Sequence, residues 1–330
     1  MRTTIKLAKI INIIALLFLL LGGFGLAITG ALQVLAAFIY LLTFPKNKLI
    51  YIYYTLVIIF FIFWDRSFGW LFSIPIFLII FLTYIIHFQN RKKMSFLNAQ
   101  WKNLALINYE INPQILKNYI PKGTEIDLYN GKCYISLVGF MFKEVKILGF
   151  KIPFHINFEE VNLRFYVKRF ENNEWKRGVV FIKEIVPKHA LTFVANAVYK
   201  EHYQTLLMKH SITQNKETID FVYQWKTENK WNTILIETEK NPIEIELNSE
   251  AEFITEHYFG YTKVNENKTF EYEVKHPRWQ QLKITNHQID VDFKKTYGSE
   301  FEFLENQKPA SIQLAIGSVI SVENKKTIKL

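Results

Sequence analysis

Residues 158–167 read Phe-Glu-Glu-Val-Asn-Leu-Arg-Phe-Tyr-Val. Side chains of an extended chain alternate between two faces. The stretch therefore predicts a strand with Val161, Leu163, Phe165 and Val167 on one face and Glu160, Asn162, Arg164 and Tyr166 on the other. A strand that only covers a core shows water a scatter of Lys, Thr and Ser. Here a carboxylate, an amide, a guanidinium and a phenol stand in one row, a set able to grip a small polar or anionic molecule. The same row also suits a solvated or internally paired face, and the sequence leaves both readings open.

Around this strand the pattern is of short alternating segments. Residues 101–111 predict a strand, and 113–119 a short helix with Asn112 as N-cap and Pro113 in the first position. Asn130-Gly131 is a tight-turn signal that would join 124–129 to 132–142 as a hairpin. The central strand returns through 171–176 to a partner over 178–185. Pro187 then introduces a helix over about 189–201, with Leu191, Val194, Ala195, Val198 and Tyr199 as its apolar side. Further strands fall at 218–225, 231–238, 243–247, 269–275, 282–291 and 311–322, and 253–261 reads as a short helix or strand. Many short strands with few helices predict an α+β chain whose residues 94–330 form a mainly antiparallel β-barrel domain with a few short helices.

Residues 1–93 are of another kind. Positions 10–44 carry no charge, and as one helix they would reach roughly 52 Å against a hydrocarbon core of about 30 Å. The run must fold back, and Gly22-Gly23-Phe24-Gly25 is the natural break. Four transmembrane helices are expected, over about 5–21, 26–44, 49–64 and 67–88, with turns at Pro45–Lys48 and Asp65-Arg66. Pro75, inside the fourth, is tolerable where neighbouring helices cover the freed carbonyl. Nine Lys/Arg against the single acid Asp65 give this block +8 of the net +10. All but Arg66 lie at the N-terminus, in the 45–48 loop or at 91–93, which four spans put on one side. By the positive-inside rule that side is the cytoplasm. The expectation is a multi-pass protein of the inner membrane with its N-terminus and its C-terminal domain cytoplasmic. No ionisable side chain lies deep in a span, which argues for an anchor and against a pump.

The basic pI of ≈ 9.3 thus belongs to membrane-flanking loops, and residues 94–330 are nearly neutral without a basic stripe. Nucleic-acid binding is not expected. The lone cysteine, Cys133, excludes an intramolecular disulfide and shares a strand face with Ile135 and Leu137, as a small buried hydrophobe would. No His-Glu-x-x-His, Cys-x-x-Cys, Gly-x-Ser-x-Gly or phosphate-cradling glycine loop occurs, so neither metal nor cofactor is expected. The partners read from the sequence are the lipid bilayer and a small molecule.

Several blocks carry a resemblance. Trp101, Leu104, Asn108-Tyr109-Glu110, Ile120-Pro121-Lys122-Gly123-Thr124, Asp127 and Gly131-Lys132-Cys133-Tyr134-Ile135-Ser136 are similar to the opening of the YqjF-like family of uncharacterised bacterial proteins. Asn162–Val167 resembles its Asn-x-Arg-x-Tyr-Val strand. Phe253–Tyr258, Val274–Trp279, Ala315-Ile316-Gly317-Ser318 and the ending at Leu330 resemble later blocks in the same order. The resemblance spans about residues 98–330 and implies the acetoacetate-decarboxylase-like β-barrel, with a central cavity. It also implies a search for a Schiff-base lysine, since the decarboxylase uses one activated by a neighbouring cation. Lys188, in Val186-Pro187-Lys188-His189, is the candidate, although by family register the place lies nearer Glu201-His202-Tyr203. Relatives carry Arg where this chain has His257.

The candidate binding residues are accordingly Glu160, Asn162, Arg164, Tyr166, Glu256 and His276, with Glu256 either a base or the ion-pair partner of Arg164. Three functions remain in view: a binding module for a small anionic or carbonyl-bearing molecule, a lysine-dependent decarboxylase or aldolase, and a non-catalytic scaffold.

Overall fold

In this computed structural model, which describes residues 2–64, 73–89 and 95–328, the chain divides where its composition changes, into units Met1–Lys93 and Met94–Leu330. The expected Asp65-Arg66 turn, the start of the fourth span, the 90–93 segment and Leu330 lie outside the described residues.

The N-terminal unit has helices α1 (Arg2–Leu17, extended by a tighter turn, Phe18–Leu21), α2 (Gly23–Thr43), α3 (Lys48–Phe63) and α4 (Ser73–Tyr84, widening into a π turn over Ile85–Gln89). The reversal falls at Gly22, as expected, and Asn47 caps α3 by accepting from the Leu49 N–H at 3.0 Å. Four spans were expected. Among the described residues two helices, Thr4–Leu21 and Gly25–Thr43, are long and apolar enough to cross a membrane, whereas Lys48–Phe63 and Ser73–His87 are apolar but shorter. Sixteen residues of α3 reach only about 24 Å. Buried polar side chains join the helices. Gln33 Nε2 donates to Asn12 Oδ1 at 3.2 Å, and Asn12 Nδ2 donates to Thr83 Oγ1 at 3.2 Å. In apolar surroundings such bonds hold helices together where the hydrophobic effect between them is weak.

The C-terminal unit is α+β. Its strands are β1 (Leu97–Ile111), β2 (Glu125–Ile126), β3 (Cys133–Ile147), β4 (Phe158–Glu171), β5 (Glu174–Val186), β6 (Tyr203–Thr205) and β7 (Met208–Gln214). They continue as β8 (Thr218–Thr227), β9 (Lys230–Glu244), β10 (Phe259–Asn265), β11 (Lys268–Lys275), β12 (Gln280–Asp290), β13 (Ser311–Val322) and β14 (Lys326–Ile328). Three short helices accompany them: α5 (His189–Val194, passing into a π turn over Ala195–Tyr199), α6 (Glu250–Thr255) and α7 (Phe293–Tyr297).

The fourteen described strands form one mainly antiparallel sheet, twelve of them in the order β14-β11-β10-β5-β4-β3-β1-β13-β12-β9-β8-β7, with β2 paired to β4 and β6 to β5 off this path. β10 and β6 each pair with β5 in parallel. The expected barrel is corrected to this sheet. β13 also pairs with β11 through Val274↔Val322 and Lys275↔Ser321, so the pairing path from β11 to β13 returns on itself, while β12, β9, β8 and β7 extend beyond it as a wing.

Both faces of β4 are buried, one of them by that wing. Val161, Leu163, Phe165 and Val167 share one core with Phe221, Tyr223, Trp225, Ile234 and Ile236 of β8 and β9. Phe158 and Tyr166, on the other face, join a second core with Leu104, Phe140, Phe142, Ile254 and Trp279. Cys133 lies in the first core beside Ile135 and Leu137, and burial pushes its thiol up to about 11.

Other local readings are revised. The segment 124–129 does not pair with β3 as a hairpin. Only Tyr129 and Lys132 bridge across Asn130-Gly131, and β2 instead pairs with β4, Ile126 opposite Val167. Residues 231–247 hold one strand rather than two, and the expected 189–201 helix stops at Lys200, whose φ of 61° is left-handed. β6 and β7 were not anticipated.

The parallel join of β5 to β10 is a two-residue contact, Phe259↔Gly178 and Gly260↔Val179. A Cβ on Gly178 would lie 2.6 Å from the Phe259 carbonyl oxygen and 2.6 Å from the Tyr261 ring. Gly178→Ala is therefore expected to lower unfolding stability by about 1–3 kcal/mol, read as a reduced urea midpoint at unchanged slope.

Candidate functional site

Alternation on β4 aims Glu160, Asn162 and Arg164 into a cavity of ≈ 220 Å³ in the C-terminal unit. Its apolar wall includes Leu97, Trp101, Phe140, Phe142, Phe158 and Leu191. The lining also has polar members, with Glu184 from β5, Glu201 and Tyr203 before and in β6, Tyr272 from β11, and His257 and His276. The register makes this convergence. Asn162 stands opposite Glu184 across the β4–β5 pair, and a bulge between Leu163 and Arg164 sets Arg164 opposite Phe181.

Three carboxyl groups are almost fully buried here: Glu160 (2% exposed), Glu184 (3%) and Glu201 (8%). Burial pushes Glu160 up to about 7, against hydrogen bonds from Asn162 and Tyr203 and the nearby Arg164 charge. Those bonds are 3.0 Å from Asn162 Nδ2 to Oε1 and 3.2 Å from the Tyr203 hydroxyl to Oε2. Burial likewise raises Glu201 to about 7, although Thr262 donates to it at 2.6 Å and Tyr272 also bonds to it. Glu184 is raised further, by burial and then by the negative charges of Glu201 and Glu160. Burial thus favours the protonated form of all three.

Arg164 is 7% exposed. Among the described residues no carboxylate oxygen comes within 4.0 Å of its guanidinium, and its Nε has no hydrogen-bond partner. Its guanidinium carbon lies 5.9 Å from the centroid of the Tyr166 ring. Asn162 Oδ1 and Glu184 Oε2 are also buried without partners. Unpaired buried polar atoms carry the full cost of lost hydration, and the residues that hold these three all line one cavity.

The structure divides the sequence candidates. Glu160, Asn162, Arg164 and His276 line the cavity. His276 stacks on Trp279 with ring centroids 4.2 Å apart, its Nδ1 lies 2.9 Å from the Pro277 carbonyl, and burial lowers its pKa. Tyr166 is on the expected face but outside the cavity lining, because its hydroxyl bonds to Ser136 Oγ at 2.7 Å. Ser136 in turn donates to Asn108 at 2.6 Å. Glu256 is neither in the lining nor paired with Arg164; it ends α6 and accepts from the Tyr258 hydroxyl. Lys188 sits at the N-terminus of α5 outside the lining, and no lysine lines the cavity among the described residues.

Sequence reasoning missed Glu184, Tyr203, Tyr272 and the working environment of His257. An acid within Val179–Val186, otherwise interrupted only by Lys183, was a usable signal for Glu184. His257 Nε2 lies 3.2 Å from Asp127 Oδ2, which also accepts from Arg177 Nε at 2.7 Å. Burial would raise the Asp127 carboxyl, but the bonds from His257 and Arg177 outweigh it and hold it below its ordinary value. Burial drives His257 down to about 4, so the ring is neutral, donates to Asp127, and keeps Nδ1 without a partner among the described residues. Gly260 and Tyr272 meet at the same wall, where a Cβ on Gly260 would lie 2.2 Å from the ring.

The chain matches the DUF2071 family, described as an uncharacterized conserved protein, over residues 98–318. It is 25% identical to the uncharacterized protein YqjF of Bacillus subtilis (strain 168) over 184 residues, 54% of this chain and 72% of that one. Among solved structures it is similar to acetoacetate decarboxylase from Legionella pneumophila subsp. pneumophila str. Philadelphia 1, with TM-score 0.47, 11% identity, and coverage of 70% of this chain and 86% of that one. It is also similar to the enduracididine biosynthesis enzyme MppR complexed with the condensation product of pyruvate and imidazole 4-carboxaldehyde. There the TM-score is 0.49 and the identity 9%, covering 71% of this chain and 89% of that one.

The raised carboxyls set a pH dependence. Glu160 keeps its proton up to about 7 when folded, against 4.5 ordinarily. The stability it contributes is present in full below the ordinary value and is lost as pH rises through the folded one. Wild-type melting temperature should fall between about pH 5 and pH 8, and Glu160→Gln should flatten that fall, leaving the variant more stable at pH 8 by on the order of 2 kcal/mol. Parallel curves for the two proteins would contradict the assignment.

Proposed function

The chain belongs to the DUF2071 family, and we propose that its C-terminal unit binds a small anionic or carbonyl-bearing molecule with an apolar body. The observation that carries this reading is Arg164: a buried guanidinium on the wall of a ≈ 220 Å³ cavity, with Nε unpaired. A buried charge without a partner is strongly unfavourable, and an oxyanion or carbonyl oxygen from a ligand would offset that cost through a charge-assisted hydrogen bond. Asn162 and Glu184, whose Oδ1 and Oε2 have no partner among the described residues, would address a second polar atom of the ligand. The aromatic wall from Trp101 to Phe158 would take its carbon skeleton, as ligand cavities generally do.

A scaffold with a plugged interior fits this geometry poorly, since it predicts a paired Arg164. A lysine-dependent enzyme is likewise disfavoured by the absence of lysine from the described lining. A second reading, proton transfer to a bound carbonyl compound, has its own support: Glu160 titrates near 7 and Glu184 Oε2 is unpartnered, which suits general acid–base chemistry. The N-terminal unit is taken as the anchor in the inner membrane, with the N-terminus and the C-terminal unit cytoplasmic. Its two long apolar helices and the clustering of basic residues in the sequence support that arrangement.

Hexanoate and acetoacetate are suitable probes. At saturation either should raise the melting temperature of the wild type by on the order of 2–4 °C, and Arg164→Ala should retain the fold while losing that rise. Equal stabilisation of both proteins would overturn the assignment. Borohydride reduction in the presence of acetoacetate should leave every lysine unmodified by mass spectrometry; an adduct on any lysine would restore the Schiff-base reading.

A further inference from the structure

Two segments that contribute to the cavity lining also expose large apolar side chains. One is the loop joining β3 to β4, where Phe150 is 73% and Phe154 88% exposed. The other is α5 with its π turn, where Phe193 is 74% exposed and Val194 and Val198 are also exposed. Both segments contribute to the lining, the loop through Ile152 and His155, the helix through Leu191 and Val194. β4 and β5 run antiparallel with Val161 opposite Ile185, so the loop entering β4 and the helix leaving β5 lie at the same end of that pair.

The loop is built to present these rings. Ile147 and Phe150 exchange backbone hydrogen bonds of 2.9 Å across Leu148-Gly149, which have φ of 49° and 88°. Two left-handed residues in a two-residue connection make a tight hairpin turn. Phe154 also holds a left-handed φ, 63°, a conformation unfavourable for a side chain of its size. In water neither the strain nor the exposure of the ring is compensated.

The charge pattern selects the partner. Residues 145–158 and 187–200 carry Lys146, Lys151, Lys188 and Lys200 and no Asp or Glu, in a unit that is otherwise nearly neutral. Lys151 is shared with Glu144; the other three have no carboxylate within 4.0 Å among the described residues. Exposed aromatic side chains in segments whose only ionised residues are lysines match the interface of a bilayer bearing anionic lipid. The same chain has two helices long and apolar enough to cross a membrane.

We propose that this basic, apolar collar docks on the surface of an anionic lipid bilayer, so that the cavity opens towards lipid. The inference rests on the membrane reading of the N-terminal unit and is independent of which ligand fills the cavity.

The test uses the full chain reconstituted in phosphatidylcholine–phosphatidylglycerol vesicles. Phe154→Cys, Phe193→Cys and, as a control, Trp175→Cys are each labelled with pyrene; Trp175 lies at the opposite end of β5, and Cys133 is buried. Brominated lipid should quench the two collar labels about threefold or more above the control. Equal quenching at all three positions in a chain that floats with the vesicles would overturn the docking alone. Pyrene excimer emission from the collar labels would overturn it in favour of a second copy of the chain. A chain that fails to float with vesicles would overturn the membrane reading and the docking together.

Discussion

The structure depends on the burial of both faces of β4. One face has an ordinary hydrophobic solution, in which Val161, Leu163, Phe165 and Val167 are covered by aromatic and branched residues from β8 and β9. The other face has no such solution, because it carries a carboxyl, an amide and a guanidinium. Those groups can be removed from bulk water only where partners gather round them. Tyr203, Thr262 and Tyr272 meet part of that need by bonding to Glu160 and Glu201. Arg164, on the cavity wall, has no carboxylate oxygen within 4.0 Å among the described residues.

Much of this was legible in the sequence. Period-two alternation over 158–167 separated the apolar face from the polar one, because the pleat allows no other arrangement. Asn112 and Pro113 marked a helical start, and Ser311–Val322 emerged with its expected limits. What could not be read was pairing between distant segments. Ile126 lies opposite Val167 and Glu184 opposite Asn162, and such contacts are set by the sheet as a whole rather than by local propensity. For the same reason Tyr166 and Glu256 looked like site residues. Each has a polar end suited to a cavity, but Ser136 and Tyr258 already occupy those ends.

The N-terminal unit shows a different limit. Hydropathy identified its apolar runs correctly, yet helix length decides which of them can cross a bilayer, and α3 is short. The inward polar contacts of Asn12, Gln33 and Thr83 were equally invisible, since isolated amides and hydroxyls in apolar helices do not announce their neighbours. Together they specify how α1, α2 and α4 face one another, which a uniform apolar surface could not do.

The bare backbone at Gly260 has a consequence for the shape of the cavity. The Tyr272 ring rests where a methyl group would otherwise stand, and both residues border the cavity. A substituent there would displace the ring, by leverage rather than by filling space itself. The width of the chamber at this wall is therefore set by a lining residue that has no side chain of its own.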